Sequence, residues 1–228
     1  MKKFSLTKTT KQWCGITLYQ IKAEMSFGNV IKGELGGYIE KKENIGEDGN
    51  AWVYGNAWVY DNAQVSGNAQ VYGNAQVSGN AQVYGNAQVY GNAWVYGNAR
   101  VYGNARVYDN AWVYDNAWVS GNAWVYGNAW VYGNAQVSGN AQVYGNAQVS
   151  GNAQVYGKLS LTLGYFFGYK EKKEYLKYFS LGDDSSYELI GKGDCKVEEE
   201  NSQKTELLKK AQELIDKAEE LKVEANKL

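Results

Sequence analysis

Apolar and polar positions alternate with a fixed six-residue period from Gly49 to Tyr156. Each unit reads Gly-Asn-Ala-x-Val-Tyr or Gly-Asn-Ala-x-Val-Ser, and eighteen units follow one another without insertion or deletion. Asn, Ala and Val are invariant, x is Trp, Gln or Arg, and Asp replaces Gly at Asp61, Asp109 and Asp115. Such a short fixed period is typical of a solenoid, in which each unit buries its apolar side against its neighbours.

The order of residues within a unit predicts a short strand and a corner. Successive strand side chains point to opposite faces, so we expect Ala and Val inside and x and Tyr or Ser outside. Gly-Asn forms the corner, because Gly accepts positive φ and Asn tolerates the left-handed region. Identical corners favour parallel coils over a hairpin meander, whose turns would reverse the inward register. The chain contains no proline, so every backbone amide can join a ladder.

The segment Val-Tyr-Gly-Asn-Ala-Gln, Val71 to Gln76, resembles the hexapeptide-repeat family. The resemblance implies an all-β solenoid: a left-handed parallel β-helix of about six triangular coils, three units to a coil. Residue i then lies above residue i+18. One corner is predicted to stack Tyr54, Tyr72, Tyr90, Tyr108, Tyr126 and Tyr144. We interpret this tyrosine column first as a structural support of the parallel strands.

The segments outside the repeat complete the predicted architecture. Residues 1–48 are expected to form a β-rich N-terminal cap, with a strand from Trp13 to Ala23, and residues 49–156 form the β-helix. Residues 157–200 predict a small antiparallel β meander that caps the other end. Residues 201–228 predict an α-helix with Leu207, Leu214, Leu221 and Leu228 on one stripe. That stripe favours a coiled-coil homo-oligomer or packing on the prism, and both remain open.

Absent residue types restrict the chemistry. The chain contains no histidine. Members of the hexapeptide-repeat family that are acyltransferases typically use a histidine base, and others bind zinc through histidines. Neither arrangement can be transferred here. Asp61, Asp109 and Asp115 lie at corners, where we expect them to tolerate an unusual backbone angle and to stay ionised. We therefore predict no enzyme, no metal and no cofactor.

Charge and cysteine content narrow the partners and the compartment. The formal net charge is −1, which argues against nucleic acid and against a membrane surface as partners. No apolar run is long enough to span a membrane, and the residues after Met1-Lys2-Lys3 lack a signal-peptide core. These features predict a cytoplasmic protein. Cys14 and Cys195 lie in different flanking segments, and their pairing is left open.

The remaining signal is aromatic. Seven Trp and thirteen Tyr of the repeat are expected to project outward, and exposed aromatic surface usually marks an interaction site. We predict a non-catalytic protein-binding or scaffold protein. Its partner-binding patch is expected to comprise Trp94, Trp112, Trp118, Trp124, Trp130, Tyr96, Tyr114 and Tyr132. Carbohydrate binding and a degenerate acyltransferase are the alternatives.

The N-terminal flank carries a second resemblance. The stretch Lys32 to Glu40, Lys-Gly-Glu-Leu-Gly-Gly-Tyr-Ile-Glu, leads into the Trp-rich repeats and resembles proteins encoded in phages and prophages. These proteins are often labelled transferases on repeat similarity alone. The resemblance implies that the protein partner is a phage protein or a host protein that the chain inhibits.

Overall fold

The structure is a computed structural model that describes residues 2–167, 175–181 and 184–190. The chain divides into two compact units, residues 1–169 and residues 170–228. The first unit contains the solenoid and the N-terminal cap. The described part of the second is a hairpin in which Tyr175–Leu181 pairs antiparallel with Asp184–Ile190.

Each repeat contributes one short strand, formed by x and Val, to one of three parallel sheets, here called faces 1, 2 and 3. Face 1 contains Trp58–Val59, Gln76–Val77, Trp94–Val95, Trp112–Val113, Trp130–Val131 and Gln148–Ser150. Face 2 contains Gln64–Val65, Gln82–Val83, Arg100–Val101, Trp118–Val119, Gln136–Val137 and Gln154–Val155. Face 3 contains Trp52–Val53, Gln70–Val71, Gln88–Val89, Arg106–Val107, Trp124–Val125 and Gln142–Val143.

The predicted parallel winding and core are confirmed. Residues eighteen apart pair in register, as in Trp94 with Trp112 and Arg100 with Trp118. Every repeat valine from Val53 to Val155 is buried, as is every repeat alanine from Ala51 to Ala147. Burial of one valine side chain contributes roughly 1.5–3 kcal/mol, so the valine rows are the main apolar support of the fold.

The winding continues beyond the repeat at both ends, so the predicted six coils are too few. The strand Leu35–Ile39 pairs parallel with Trp58–Val59, and Ile45 bridges Val65 in the same direction. After the repeat, Ser160–Leu161 extends face 3 and Tyr165–Phe167 extends face 1, again in parallel. The solenoid therefore has about seven turns. Residues 160–167 belong to it, and their assignment to an antiparallel meander was wrong.

The corners work differently from the prediction. Positive φ falls on the first residue of each corner, Gly or Asp, with φ of 69° at Gly97 and 56° at Asp115. Asp61 and Asp109 adopt the same conformation, as predicted. A side chain at a corner glycine would also collide with the next coil, since a Cβ on Gly97 would lie 2.9 Å from the amide nitrogen of Asp115. The corner asparagines do not adopt positive φ, so the role predicted for them was wrong.

The asparagines instead form three hydrogen-bonded ladders along the corners. The Asn86 side-chain amide donates to Asn104 Oδ1 at 3.1 Å, and Asn104 donates in turn to Asn122 Oδ1 at 3.0 Å. Equivalent bonds run from Asn74 to Asn146 and from Asn62 to Asn152. Amide ladders of this kind require in-register parallel strands, which explains why Asn is invariant in the unit.

The N-terminal cap adds antiparallel strands to face 1. Strand β1 (Phe4–Trp13) pairs with β2 (Ile16–Ala23), and β2 pairs with β3 (Leu35–Ile39). A 3-10 helix, Lys42–Asn44, follows and leads into the repeat. The predicted strand from Trp13 to Ala23 is interrupted, because Cys14 and Gly15 both have positive φ and turn the chain.

Two predictions fall on residues that the structure does not describe. The heptad helix of residues 201–228, with Leu207, Leu214, Leu221 and Leu228, lies outside the described residues, and so does Cys195. Self-association through that stripe stays a prediction, and so does its alternative, packing on the prism. Cys14 is exposed, and its pairing with Cys195 stays open. Within the described ranges, no helix has the length and apolarity needed to cross a membrane.

Candidate protein-binding surface

Face 1 carries a stack of three tryptophans in the middle of the solenoid. The Trp94 and Trp112 rings are 5.3 Å apart between centroids, and the Trp112 and Trp130 rings are 5.2 Å apart, with nearly parallel planes. Register pairing of their strands places the three residues directly above one another. Each ring is half-buried, because its neighbours in the stack cover much of it.

A tyrosine stack runs beside these tryptophans, along the corner between faces 1 and 2. The Tyr96, Tyr114 and Tyr132 rings are 4.9 and 5.0 Å apart and parallel within 2°. The edge of Tyr96 contacts Trp112 at 6.4 Å between centroids. The structure thus brings six of the eight predicted patch residues together as a two-column aromatic surface, here called the face 1 aromatic surface.

The other two predicted residues lie elsewhere. Trp118 is on face 2 and Trp124 is on face 3, so the single patch predicted from the sequence is divided among three faces. The physical reason is the winding itself, because position x moves to the next face with every unit. Trp118 is 37% exposed, more than the face 1 tryptophans, so it presents a separate contact point.

Arginine covers each of these separated tryptophans. The Arg100 guanidinium lies 5.1 Å from the Trp118 ring centroid, and Arg106 lies 5.2 Å from that of Trp124. A tyrosine edge completes each group, Tyr102 with Trp118 at 6.5 Å and Tyr108 with Trp124 at 6.5 Å. The spacing of eighteen from Arg to Trp is the signal that could have revealed these cation–π pairs.

Two tryptophans of the first coil do not project freely outward as expected. Trp52 is fully buried, with Phe4 and Phe27 packed edge-on against it at 6.2 and 5.4 Å. Trp58 is half-buried beneath Trp13, whose ring centroid is 5.3 Å away. The cap residues that cover them come from a segment outside the repeat, so the periodicity alone could not identify this burial.

Ring orientation determines what the aromatic columns can contact. In the corner between faces 3 and 1, tyrosines from Tyr72 to Tyr144 stack at 4.6–4.8 Å with planes within 3°, which confirms the predicted ladder over these five residues. Each ring in such a stack covers the flat faces of its neighbours. The surface therefore offers ring edges and hydroxyls, and leaves flat faces open only where a stack ends.

Stacking also affects tyrosine ionisation. Burial raises the pKa of Tyr108 to about 12, and the neighbouring Tyr90 and Tyr126 hydroxyls and the Asp109 carboxylate add to the increase. Burial, Tyr96, Tyr132 and Asp115 raise the pKa of Tyr114 to about 12 in the same way. These phenols are neutral hydrogen-bonding groups at physiological pH.

The corner carboxylates have structural partners. Asp61 Oδ2 accepts a hydrogen bond from the Gly79 amide at 3.0 Å, and Asp115 Oδ2 accepts one from the Gly133 amide at 3.3 Å. Across the described residues, no three His, Cys, Asp or Glu side chains come close enough together to hold a metal ion. The repeat adds two cations to these aromatic side chains, Arg100 and Arg106.

Comparison with known proteins agrees with the architecture. The YdcK beta solenoid repeat matches residues 63–79, 69–85, 75–90, 81–97, 87–103, 99–115, 111–127, 117–133, 123–139, 135–151 and 141–157. No curated protein matches the chain significantly. The matched windows lie within residues 63–157, fewer than half of the chain, and with the parallel coils they define a β-solenoid repeat protein.

Proposed function

We propose that this chain is a non-catalytic binding protein that recognises a protein partner through the aromatic surfaces of its solenoid. The observation that carries the proposal is the contrast among chemically identical repeat tryptophans. The cap covers Trp52 and Trp58, whereas the rings stacked on Trp94, Trp112 and Trp130 all belong to the repeat itself. Trp, Tyr and Arg are the residue types that most often dominate binding energy at protein interfaces.

Ring geometry favours a protein partner over a carbohydrate or a nucleic acid. Sugar rings and nucleobases stack on flat aromatic faces, and here most flat faces are covered by the next ring in the column. Protein partners can instead use ring edges, phenol hydroxyls and the two arginine-covered tryptophans. The lack of histidine and the corner roles of Asp61 and Asp115 give no support to a degenerate acyltransferase.

The finer features of the proposal come from the sequence resemblances. We include the left-handed winding of hexapeptide-repeat proteins and a cytoplasmic location. We also include a partner from a phage or its bacterial host, as the Lys32–Glu40 segment implies. A homo-oligomer formed through residues 201–228 would present several copies of the surface and raise the apparent affinity.

The test combines capture with surface variants. The full chain, immobilised by a tag, is used to capture a partner from bacterial lysate, and binding of the purified partner is then measured by calorimetry. We expect Trp112→Ala combined with Trp130→Ala to weaken binding at least tenfold, the loss that an aromatic interface anchor typically causes. Trp118→Ala tests the face 2 contact point in the same assay.

The control is Gln136→Ala combined with Gln154→Ala, which removes two exposed side chains of face 2 and no aromatic ring. This variant should bind like the wild type. Far-ultraviolet circular dichroism verifies that each variant keeps its fold. Unchanged affinity in all folded tryptophan variants would reject the aromatic surfaces as the binding site.

A further inference from the structure

The tyrosine column beside face 1 has a serine at two of its six positions, Ser78 and Ser150, and only Ser78 lies between two tyrosines. Tyr60, Tyr96, Tyr114 and Tyr132 occupy its first, third, fourth and fifth positions, and Ser78 occupies the second. The adjoining face 1 column has the same interruption, because the pairing of Trp58 with Gln76 and of Gln76 with Trp94 places Gln76 between two tryptophans. A single coil thus leaves a gap in two neighbouring aromatic columns, here called the Ser78 gap.

The Ser78 gap has the dimensions of one aromatic ring. Coils of parallel strands lie roughly 4.8 Å apart, so the first and third coils are separated by roughly 9.6 Å. Within the same column, Tyr96, Tyr114 and Tyr132 stack at 4.9 and 5.0 Å. A ring inserted between Tyr60 and Tyr96 would therefore have a neighbour on each side at the spacing that the protein uses for its own rings.

One wall of the gap is the end of a tyrosine stack. The Tyr96 ring is parallel to Tyr114 within 1°, so its other flat face is directed along the column toward Ser78. Ser78 has a short side chain and is partly exposed. Beside it, Gln76 Oε1 and Trp58 Nε1 are buried without a hydrogen-bond partner among the described residues. Unsatisfied buried polar atoms are uncommon, so the first two coils hold an unpaired donor and an unpaired acceptor beside the gap.

The charge next to the gap selects among aromatic groups. Asp61 follows Tyr60 directly, and its carboxylate accepts a hydrogen bond from Gly79, the residue after Ser78. The repeat has no arginine or lysine in this coil or in the coil before it, and the cap adds one charge of each sign beside Asp61: Glu40 Oε2 accepts a hydrogen bond from the Asp61 amide at 2.6 Å, and Lys41 Nζ donates to Asn62 Oδ1 at 2.9 Å. A neutral ring is therefore favoured over one that carries a phosphate, because two negative groups at this distance repel.

We propose that the Ser78 gap is a binding site for the unmodified tyrosine side chain of a protein partner, whose phenol ring completes the column between Tyr60 and Tyr96. The inference rests on the proposed function for the existence of that partner, but the site itself can be tested without it. Tyrosine is the residue that fills the positions on both sides of the gap, Tyr60 and Tyr96.

The first experiment titrates the full chain with the blocked tripeptide acetyl-Gly-Tyr-Gly-amide and follows backbone amide shifts by NMR. We expect saturable, weak binding with shifts centred on Val77, Ser78 and Gly79. The leucine tripeptide should bind at least tenfold more weakly, and so should the phosphotyrosine tripeptide. Shifts that are absent, that centre elsewhere, or that the leucine tripeptide reproduces would overturn the proposal.

The second experiment uses variants. Ser78→Tyr supplies the missing ring from the chain itself and should abolish tripeptide binding. Its matched control is Ser120→Tyr, which adds a ring next to Tyr102 in the corner between faces 2 and 3 and should leave binding intact. Equal binding to both variants would overturn the proposal. If Ser78→Tyr fails to fold, the position of the shifts in the wild-type chain still decides between the two outcomes.

The partner assay separates this inference from the proposed function. Partner affinity that falls with Trp112→Ala and Trp130→Ala but is unchanged by Ser78→Tyr would overturn the tyrosine site and leave the proposed function standing. Affinity that falls at least tenfold with Ser78→Tyr, but not with Ser120→Tyr, supports both.

Discussion

The first coil and the middle coils of the solenoid use the same repeat for opposite purposes. Trp52 and Trp118 both occupy the fourth position of their units, yet Trp52 is fully buried and Trp118 is 37% exposed. The difference comes from Phe4 and Phe27 of the N-terminal cap, which pack on Trp52. The repeat determines which side chains point outward, and the flanking segments determine which of these stay exposed to solvent.

Replacing these two tryptophans should give the largest contrast. Trp52→Ala removes a fully buried ring and is expected to lower the free energy of unfolding by about 3–5 kcal/mol. Trp118→Ala removes an exposed ring and one cation–π contact, so we expect a loss of no more than about 1 kcal/mol. Urea unfolding followed by circular dichroism measures both. Similar losses for the two variants would contradict the assignment of Trp52 to the core.

The asparagine ladders run through both the capped first coil and the middle coils. Breaking a ladder should therefore lower the free energy of unfolding by a similar amount in either region. Asn104→Ala breaks two ladder bonds in the middle coils and should lower the free energy of unfolding by about 1–2 kcal/mol. Asn62→Ala, at the capped end, loses bonds to Lys41 and Asn80 and should have a similar effect. Gln136→Ala is the control in the same urea assay, and it should be nearly neutral. A loss in only one region would show that the ladders are not equivalent.

The smallest expected effect is the alkaline sensitivity of the middle coils. Because the pKa of Tyr108 and of Tyr114 is about 12 in the folded chain and about 10 when unfolded, the phenolate favours unfolding. Their contribution to stability is complete below about pH 10 and is lost as the pH rises toward 12. Tyr108→Phe should reduce that loss, measured as the change in melting temperature with pH. An identical pH dependence for both proteins would indicate that Tyr108 does not contribute.

Much of the solenoid could be predicted from the sequence because its constraints are local and periodic. Alternation within Ala-x-Val-Tyr identified the core, and the eighteen-residue period identified columns such as Tyr72 to Tyr144. The number of turns of the solenoid could not be predicted in that way. Leu35–Ile39 and Tyr165–Phe167 join the parallel sheets through backbone pairing that requires no Asn-Ala-x-Val motif.

The candidate site was less predictable because it depends on contacts between distant positions. The sequence placed Trp118 and Trp124 with the face 1 residues, but the winding separates them. The burial of Trp52 requires a fold for the cap that the repeat does not determine. The invariant asparagines were interpreted through backbone preference alone, whereas their presence in every unit reflects a side-chain bond to the next coil.

The three-sided winding also limits how such a gene can change length. Duplication of eighteen residues adds one turn and lengthens the prism by roughly 4.8 Å, and every downstream side chain stays on its original wall. Duplication of a single six-residue unit moves every later side chain to the next of the three walls. Arg100 would then no longer stand above Trp118 if the insertion fell between them, and the tyrosine columns would be cut at the same level. DNA slippage in whole turns therefore produces longer rods with intact surfaces, while slippage in single units rearranges the surface without disturbing the valine interior.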